Sequence, residues 1–250
     1  MRPLLTIITL TKNSEDYVQN CLNSLNNALL KVDSREVTHL IVDGNSDDQT
    51  LEIIKKSNSN STIFNNPPKG LYNSLNFALT KVTTPYVTYL HSDDELDENY
   101  LFYMLKSIKN KKSKTNTVFV GSVEFINSES KSLYVRKPPF YFKSIQKKNN
   151  LIFHPNACYP TVLEQEYPYI ERKYGRHSDS FHILEIMEFA SHARVKKAKY
   201  KFRISKNSIT YSKGINSKQK TFLSRIYIHF FETNILQRFI MKIYGKSYWS

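Results

Sequence analysis

The residues with the clearest chemical potential are two adjacent carboxylates, Asp93 and Asp94, which Glu95 follows directly. Carboxylate oxygens are hard ligands that suit Mg²⁺ or Mn²⁺. A divalent cation held by them could neutralise a diphosphate and stabilise the charge of a departing nucleotide. The structural alternative is an acidic helix start with Asp93 as the N-cap. For the pair taken alone, we regard that alternative as the more common one.

A second polar cluster occupies residues 43–50 and has the sequence Asp-Gly-Asn-Ser-Asp-Asp-Gln-Thr. A carboxylate at the end of a strand can accept hydrogen bonds from a ribose or a base. A turn with Ser46 as a helix cap explains part of this cluster. Asp43 precedes the glycine and is the residue that capping explains least, so we interpret it as a nucleotide contact.

Two further residues could act in catalysis. His154 lies between Phe153 and Pro155, and a lone histidine is more often a hydrogen-bonded structural residue than a catalyst. Asp179 opens a predicted helix. It could be an acid that favours the helix N-terminus or a general base.

Strands and helices alternate over the first 110 residues. Short apolar, β-branched runs predict strands, and apolar residues three or four apart predict helices, the first of them capped by Ser14. The predicted strands are residues 4–9, 38–42, 62–64 and 85–90, and the predicted helices begin near residues 14, 51, 70 and 96. This alternation indicates a parallel sheet with helices on both faces.

The polar clusters follow predicted strands and should therefore meet. Ligands bind parallel sheets at the carboxyl ends of the strands. Thr11-Lys12-Asn13, residues 43–48 and Ser92-Asp93-Asp94 would converge on that edge. This convergence favours the metal interpretation of the Asp pair.

Later segments predict a hairpin at residues 117–125 and 132–136, a helix at 178–190, strands at 199–204 and 208–211, and a long helix at 217–243.

Composition excludes several classes of protein. The 250 residues are 40% hydrophobic and 23% charged, which is a globular composition. Two cysteines exclude a disulfide scaffold, and six glycines leave no glycine-rich phosphate loop. The formal net charge is +14, and it is concentrated at the end of the chain, because residues 196–250 contain 13 Lys plus Arg and one acid. We expect a cytoplasmic protein with a polyanionic partner.

Four ordered blocks resemble inverting family 2 glycosyltransferases of the GT-A fold, in the branch that builds bacterial surface polysaccharides. The blocks are Ile7-Ile8-Thr9-Leu10-Thr11-Lys12-Asn13, residues 39–50, residues 69–76 and residues 86–94. The resemblance implies an α/β fold with a mostly parallel central sheet flanked by helices. It also implies transfer of a hexosyl or N-acetylhexosaminyl group from a UDP-sugar, dependent on Mn²⁺ or Mg²⁺.

The resemblance also assigns roles by position. It implies that Asp94 is the principal metal ligand beside Asp93, and that Asp179 is the catalytic base. The residues that it places in contact with the nucleotide-sugar are Thr11, Asn13, Asp43, Lys69, Gly70, Ser92, Asp93 and His154.

This sequence departs from the family pattern at three places. Pro68 and Asn73 stand where the family often has aspartates, which suggests a different sugar donor. Ser180 and Phe181 follow Asp179 where an aromatic residue and an acid are common. Glu171 and Glu185 therefore compete with Asp179 for the role of base.

The expected organisation is a nucleotide-sugar-binding half at residues 1–110, an acceptor-binding half of the same domain at 111–205, and a basic extension at 206–250. The helix predicted at residues 217–243 has apolar residues interleaved with Lys and Arg. It could lie on an anionic inner membrane face that presents a lipid-linked glycan acceptor, pack on the body of the protein, or form a homodimer.

Rival functions are a nucleic-acid-binding protein, a nucleotidyltransferase and an inactive sugar-binding relative. We do not expect nucleic acid as a partner, since no nucleic-acid-binding motif accompanies the basic end.

Overall fold

The described part of the chain folds into one sheet of nine strands with helices on both faces. The structure is a computed structural model and describes residues 2–57, 60–111, 116–139, 152–174 and 178–204. Its elements are β1 (Leu5–Thr11), α1 (Val18–Leu29), β2 (Val37–Asp43), α2 (Thr50–Lys56), β3 (Ser61–Asn65), α3 (Leu71–Leu79), β4 (Tyr86–Tyr89), β5 (Glu95–Leu96), α4 (Tyr100–Lys109), β6 (Thr117–Ile126), β7 (Ser132–Arg136), β8 (Ala157–Pro160), α5 (Thr161–Glu166), α6 (Glu171–Tyr174), α7 (Ser178–Phe189) and β9 (Ser191–Arg203). Among these helices, none has both the length and the apolar character that crossing a bilayer requires.

The first half of the sheet is parallel, as the sequence predicts. The strand order is β3-β2-β1-β4-β8-β6-β9-β5, with β7 paired to β6. Strands β3, β2, β1 and β4 run parallel, and β8 pairs antiparallel with both β4 and β6, which joins the second half to the first. Thr11 lies beside Asp43, and Asp43 beside Asn65, so these strand ends are level at one edge.

The core has two layers because β1 is apolar on both faces. Ile8 packs in a cluster with side chains of α3 and α7, including Leu75 and Ile183. Ile7 packs in the opposite cluster, where α1 and α4 contribute Leu25 and Leu105. Successive side chains of a strand point to opposite faces, and a strand covered on both sides is therefore continuously apolar.

Two predicted helix starts are wrong. Helix α1 begins at Val18, and the carbonyl of Ser14 accepts the amides of Tyr17 and Val18. Helix α4 begins at Tyr100 with Asn99 as the N-cap, so the structural interpretation of Asp93 as a helix cap fails.

Residues 95–96 form the short strand β5 instead, because they pair antiparallel with β9. That pairing comes from about 100 residues away, and local helix signals could not predict it. The predicted hairpin is confirmed as β6 and β7, whereas the predicted strand at 199–204 is the end of a longer strand, β9. The predicted strand at 208–211, the helix at 217–243 and the extension at 206–250 lie outside the described residues.

Candidate functional site

Three polar loops converge at the carboxyl edge of the parallel strands, as predicted. The Lys12 ammonium donates to the carbonyl of Gly44 at 2.8 Å, and the amide of Asn13 donates to the Ser46 hydroxyl at 3.0 Å. These bonds join the loop after β1 to the loop after β2. The hydroxyls of Ser14 and Ser92 lie 2.8 Å apart, which adds the loop after β4.

Asp43 organises the first two loops from a buried position. Its carboxylate accepts hydrogen bonds from the Thr11 hydroxyl at 2.9 Å, the Ser46 amide at 2.9 Å and the Ser46 hydroxyl at 2.6 Å. The expectation that capping explains Asp43 poorly is therefore wrong, because this carboxylate caps the turn that follows it. The side chains of Thr11 and Asp43 are both buried, so the structure gives them a role in shaping this edge of the sheet.

The loop that contains Lys69 and Gly70 lies next to this edge. The Asn45 side-chain oxygen accepts the amide of Asn66 at 3.1 Å, which connects the loop after β2 to the loop after β3. Gly70 has a φ of 106° and leads into α3, a conformation that L side chains rarely adopt. Both Lys69 and Gly70 are exposed.

The two residues that replace the usual aspartates support the same loop. The Asn73 side-chain amide donates to the carbonyl of Lys69 at 2.8 Å. The Pro68 carbonyl accepts the Ser74 hydroxyl at 3.1 Å. Pro68 and Asn73 are thus involved in the local structure at the start of α3.

The turn after β4 has a set of side chains that fits a divalent cation. His91, Asp93 and Asp94 each offer one ligand atom, and these atoms all lie within 4.8 Å of one another. One imidazole nitrogen with carboxylate oxygens suits Mn²⁺, while oxygen ligands alone would suit Mg²⁺ equally. Sequence reasoning missed His91, although a histidine two residues before an Asp pair was a usable signal.

The two carboxylates of this turn differ in burial. Asp93 is partly exposed, and the His91 side chain is 46% exposed. Asp94 is fully buried and accepts the Tyr200 hydroxyl and the Arg203 amide, each at 2.7 Å. Burial, reinforced by the charge of Asp93, raises the pKa of Asp94 well above its ordinary value. Neither Tyr200 nor Arg203 carries a local sequence signal, because strand pairing alone brings β9 to this turn.

Asp179 lies in the first turn of α7. The Tyr72 hydroxyl donates to its carboxylate at 3.5 Å, and the Ser180 amide donates to the same oxygen at 2.7 Å. Desolvation lowers the pKa of His91, while the carboxylates of Asp93 and Asp179 act to raise it. One imidazole therefore lies within electrostatic reach of both carboxylates. Glu185 lies farther along α7, and the side chain of Glu171 lies outside the described residues.

His154 belongs to the core behind the site. Its ring stacks on Tyr89 with 4.3 Å between centroids, and its Nε2 lies 2.6 Å from the Tyr169 hydroxyl. Burial lowers the pKa of His154 well below its ordinary value. The contacts of His154 are thus those of a buried structural histidine, although its ring still lies within electrostatic reach of His91 at the polar edge. Its contact with the nucleotide-sugar stays a prediction.

Comparisons with known proteins agree with this fold. A sequence profile described as "Glycosyl transferase family 2" matches residues 6–167. The crystal structure of S. aureus TarS 1-349 aligns at 21% identity and a TM-score of 0.62, over 80% of this chain and 60% of that chain. The chain thus spans about three fifths of that structure. No curated protein matches.

Two solved complexes share the fold. S. aureus TarS 1-349 in complex with UDP-GlcNAc aligns at 19% identity and a TM-score of 0.64, over 98% of this chain and 73% of that chain. The mannosyltransferase PcManGT from Pyrobaculum calidifontis, in complex with GDP-Man and Mn²⁺, aligns at 15% identity and a TM-score of 0.55, over 92% and 70%. The profile match ends before Asp179, so that residue depends on the structure for its placement.

Proposed function

The chain belongs to glycosyl transferase family 2 and has the GT-A fold, and we propose that it transfers a sugar from a UDP-sugar to a glycan hydroxyl with inversion. The observation that supports this proposal is that the His91 imidazole, one of three potential cation ligands in the turn after β4, lies within electrostatic reach of the Asp179 carboxylate. Family membership favours a glycosyltransferase over the rival nucleotidyltransferase. UDP-GlcNAc in the TarS complex supports UDP as the nucleotide, and GDP-Man in PcManGT makes GDP the nucleotide to test against it.

We assign different roles to the residues at the carboxyl edge of the sheet. His91, Asp93 and Asp94 would hold Mn²⁺ or Mg²⁺, which when bound neutralises the diphosphate and eases departure of the nucleotide. Thr11, Asn13, Asp43 and Ser92 shape the loops against which the nucleotide lies, and Lys69 adds a positive charge beside the diphosphate.

Asp179 then acts as the general base of a single displacement. Its carboxylate accepts the proton of the acceptor hydroxyl while the acceptor oxygen attacks C1 of the sugar. The C1–O bond to the diphosphate breaks on the opposite face, and its electron pair leaves with the nucleotide. Tyr72, through its hydrogen bond to Asp179, keeps the carboxylate directed across the site.

The decisive variant is Asp179→Asn, with Glu185→Gln as a matched control in the same helix. A positioned general base contributes about 10²- to 10⁴-fold to rate, so we expect kcat to fall by at least about 100-fold. Binding of UDP should not change, because Asp179 acts on the acceptor. Released UDP is measured with a panel of sugar donors. Near-wild-type kcat in Asp179→Asn would show that another group is the base.

The nucleotide can be identified from thermal protection. A ligand that binds only the folded state stabilises it by about 2.7 kcal/mol at 100 times its Kd. We expect UDP with Mn²⁺ to raise the melting temperature more than GDP with Mn²⁺. UDP-hexoses and UDP-N-acetylhexosamines would then show which sugar is preferred. Protection by GDP alone would overturn the assignment of UDP.

We further propose that the acceptor is a lipid-linked glycan of capsule, O-antigen or exopolysaccharide synthesis, reached from the cytoplasmic membrane face. The support is the charge distribution: residues 196–250 carry 13 bases and one acid, and anionic lipid attracts such segments by about 1 kcal/mol per basic residue near the surface.

The full chain should therefore co-sediment with phosphatidylglycerol vesicles and dissociate as salt is raised. Binding that is equal for neutral vesicles, or no binding at all, would contradict the membrane proposal. Light scattering on the protein without vesicles would show whether the chain forms a homodimer, which is the alternative role of the helix predicted at residues 217–243.

A further inference from the structure

We propose that Tyr200 is a positioning residue for the cation-binding turn, defined here as residues 91–95. Its phenolic hydroxyl fixes the two ends of the turn relative to each other, and through them the ligand atoms of His91, Asp93 and Asp94. This inference rests on the proposed function, because it concerns the cation that the turn would hold.

The hydroxyl of Tyr200 lies between the first and the last ligand residues. It accepts the backbone amide of His91 at 3.1 Å and donates to the Asp94 carboxylate at 2.7 Å. The amide of Asp94 also donates to the carbonyl of His91 at 3.0 Å. One fully buried hydroxyl therefore uses both of its hydrogen-bonding capacities to close the turn.

Arg203, three residues farther along β9, holds the same turn from a second direction. Its amide donates to the other carboxylate oxygen of Asp94 at 2.7 Å, and its Nε donates to the carbonyl of Asp93 at 2.7 Å. The guanidinium is fully buried and also pairs with Glu95. Its other hydrogen bonds go to the carbonyls of Asn127 and Ser128, at 2.8 Å and 3.0 Å, and to the Ser130 hydroxyl at 3.1 Å.

These contacts give Asp94 a fixed orientation. Each of its oxygens accepts a hydrogen bond from β9, so the carboxylate cannot rotate without breaking one of them. Donors behind a metal ligand orient it and typically change metal affinity by about 10- to 100-fold when they are removed. Asp93 and His91 are the more exposed members of the set, and their backbone is anchored by Arg203 and Tyr200 respectively.

The test compares Tyr200→Phe with Tyr100→Phe. Both changes remove a single buried hydroxyl, and the two rings pack edge to face with 6.4 Å between centroids. The Tyr100 hydroxyl instead lies 3.3 Å from the hydroxyl of Thr88, away from the turn. Mn²⁺ binding is followed by electron paramagnetic resonance in the presence of saturating UDP, and folding by thermal unfolding.

We expect the Kd for Mn²⁺ to rise at least about 10-fold in Tyr200→Phe and to stay within about twofold of wild type in Tyr100→Phe. The Mn²⁺ concentration for half-maximal transfer should rise in parallel, with kcat recovering as Mn²⁺ saturates. A general loss of packing would lower kcat at every Mn²⁺ concentration. Arg203→Lys provides a second variant. It removes the guanidinium but keeps the backbone amide that donates to Asp94, and its Kd for Mn²⁺ should also rise.

Wild-type Mn²⁺ affinity in folded Tyr200→Phe and Arg203→Lys would overturn the role of β9. If the wild-type protein binds UDP equally well with and without Mn²⁺, the proposal that the turn holds a cation is wrong. The role of Tyr200 is then wrong as well. Transfer that survives Asp179→Asn would instead count against the base alone, and so the two failures can be told apart.

Discussion

At the scale of single residues, the carboxylate of Asp43 stabilises two loops at the edge of the sheet where we propose that the nucleotide-sugar binds. It lies at the end of β2 and accepts three hydrogen bonds from Thr11 and Ser46. A buried carboxylate is costly unless such donors compensate it. Because those donors belong to the loops after β1 and β2, Asp43 holds the two loops in one arrangement before any ligand arrives.

Replacing Asp43 with alanine should therefore lower the free energy of unfolding by about 2–4 kcal/mol, since it leaves buried donors without an acceptor. Urea unfolding followed by circular dichroism measures this change. Asp47→Ala is the matched control, because Asp47 is exposed in the same loop and its removal should cost less than about 0.5 kcal/mol. Equal effects of the two substitutions would contradict the assignment.

At the scale of elements, a buried acid connects α5 to α7, the helix that carries Asp179. Glu164 of α5 is fully buried and accepts His182 of α7 at 3.0 Å and the Tyr169 hydroxyl at 3.1 Å. Tyr89 of β4 donates to the same carboxylate oxygen. The Tyr169 ring also stacks on Tyr72 with 5.7 Å between centroids. The position of α7 thus depends on a polar contact within an apolar layer.

The Glu164→Ala variant should lose about 3–5 kcal/mol of unfolding free energy, because three buried donors lose their acceptor. Glu166→Ala in the same helix is the control, since Glu166 is exposed and its loss should be nearly neutral. Chemical denaturation of both variants measures the difference. A Glu164→Ala protein as stable as the control would mean that apolar packing alone places α7.

Some elements of the fold could be predicted from the sequence, and others could not. The strands at the start of the chain, the converging loops and the Asp93–Asp94 site follow from local periodicity and from strand ends. The positions of β5 and of Tyr200 do not, because they depend on the pairing of β5 with β9. The surroundings of His154 could not be predicted for a related reason: its residue type does not reveal that Tyr89, Tyr159 and Tyr169 enclose it.

At the scale of the whole molecule, burial of ionisable side chains couples folding to pH. His39 is buried between Thr9 and Ser61, whose hydroxyls lie 2.9 Å and 2.6 Å from its ring nitrogens. Burial lowers the pKa of His39 to about 3. Burial also lowers the pKa of His154, whereas it raises that of Asp94, so the histidines and the carboxyl group change stability in opposite directions on acidification.

The contribution of His39 can be isolated with His39→Gln. The ordinary histidine pKa is about 6.5, so below that pH the unfolded chain binds a proton that the folded protein refuses until about pH 3. The contribution of His39 to the free energy of unfolding is therefore fully present above pH 6.5. It is lost as the pH falls, by about 1.4 kcal/mol per pH unit.

Urea unfolding between pH 4 and pH 8 gives the free energy of unfolding as a function of pH. Below about pH 6, this curve should be steeper for the wild type than for His39→Gln by the same amount. The two curves should run parallel above about pH 7.5. Parallel curves over the whole range would mean that His39 takes up its proton in the folded state as readily as in the unfolded chain, and that its two hydroxyl neighbours do not keep it neutral.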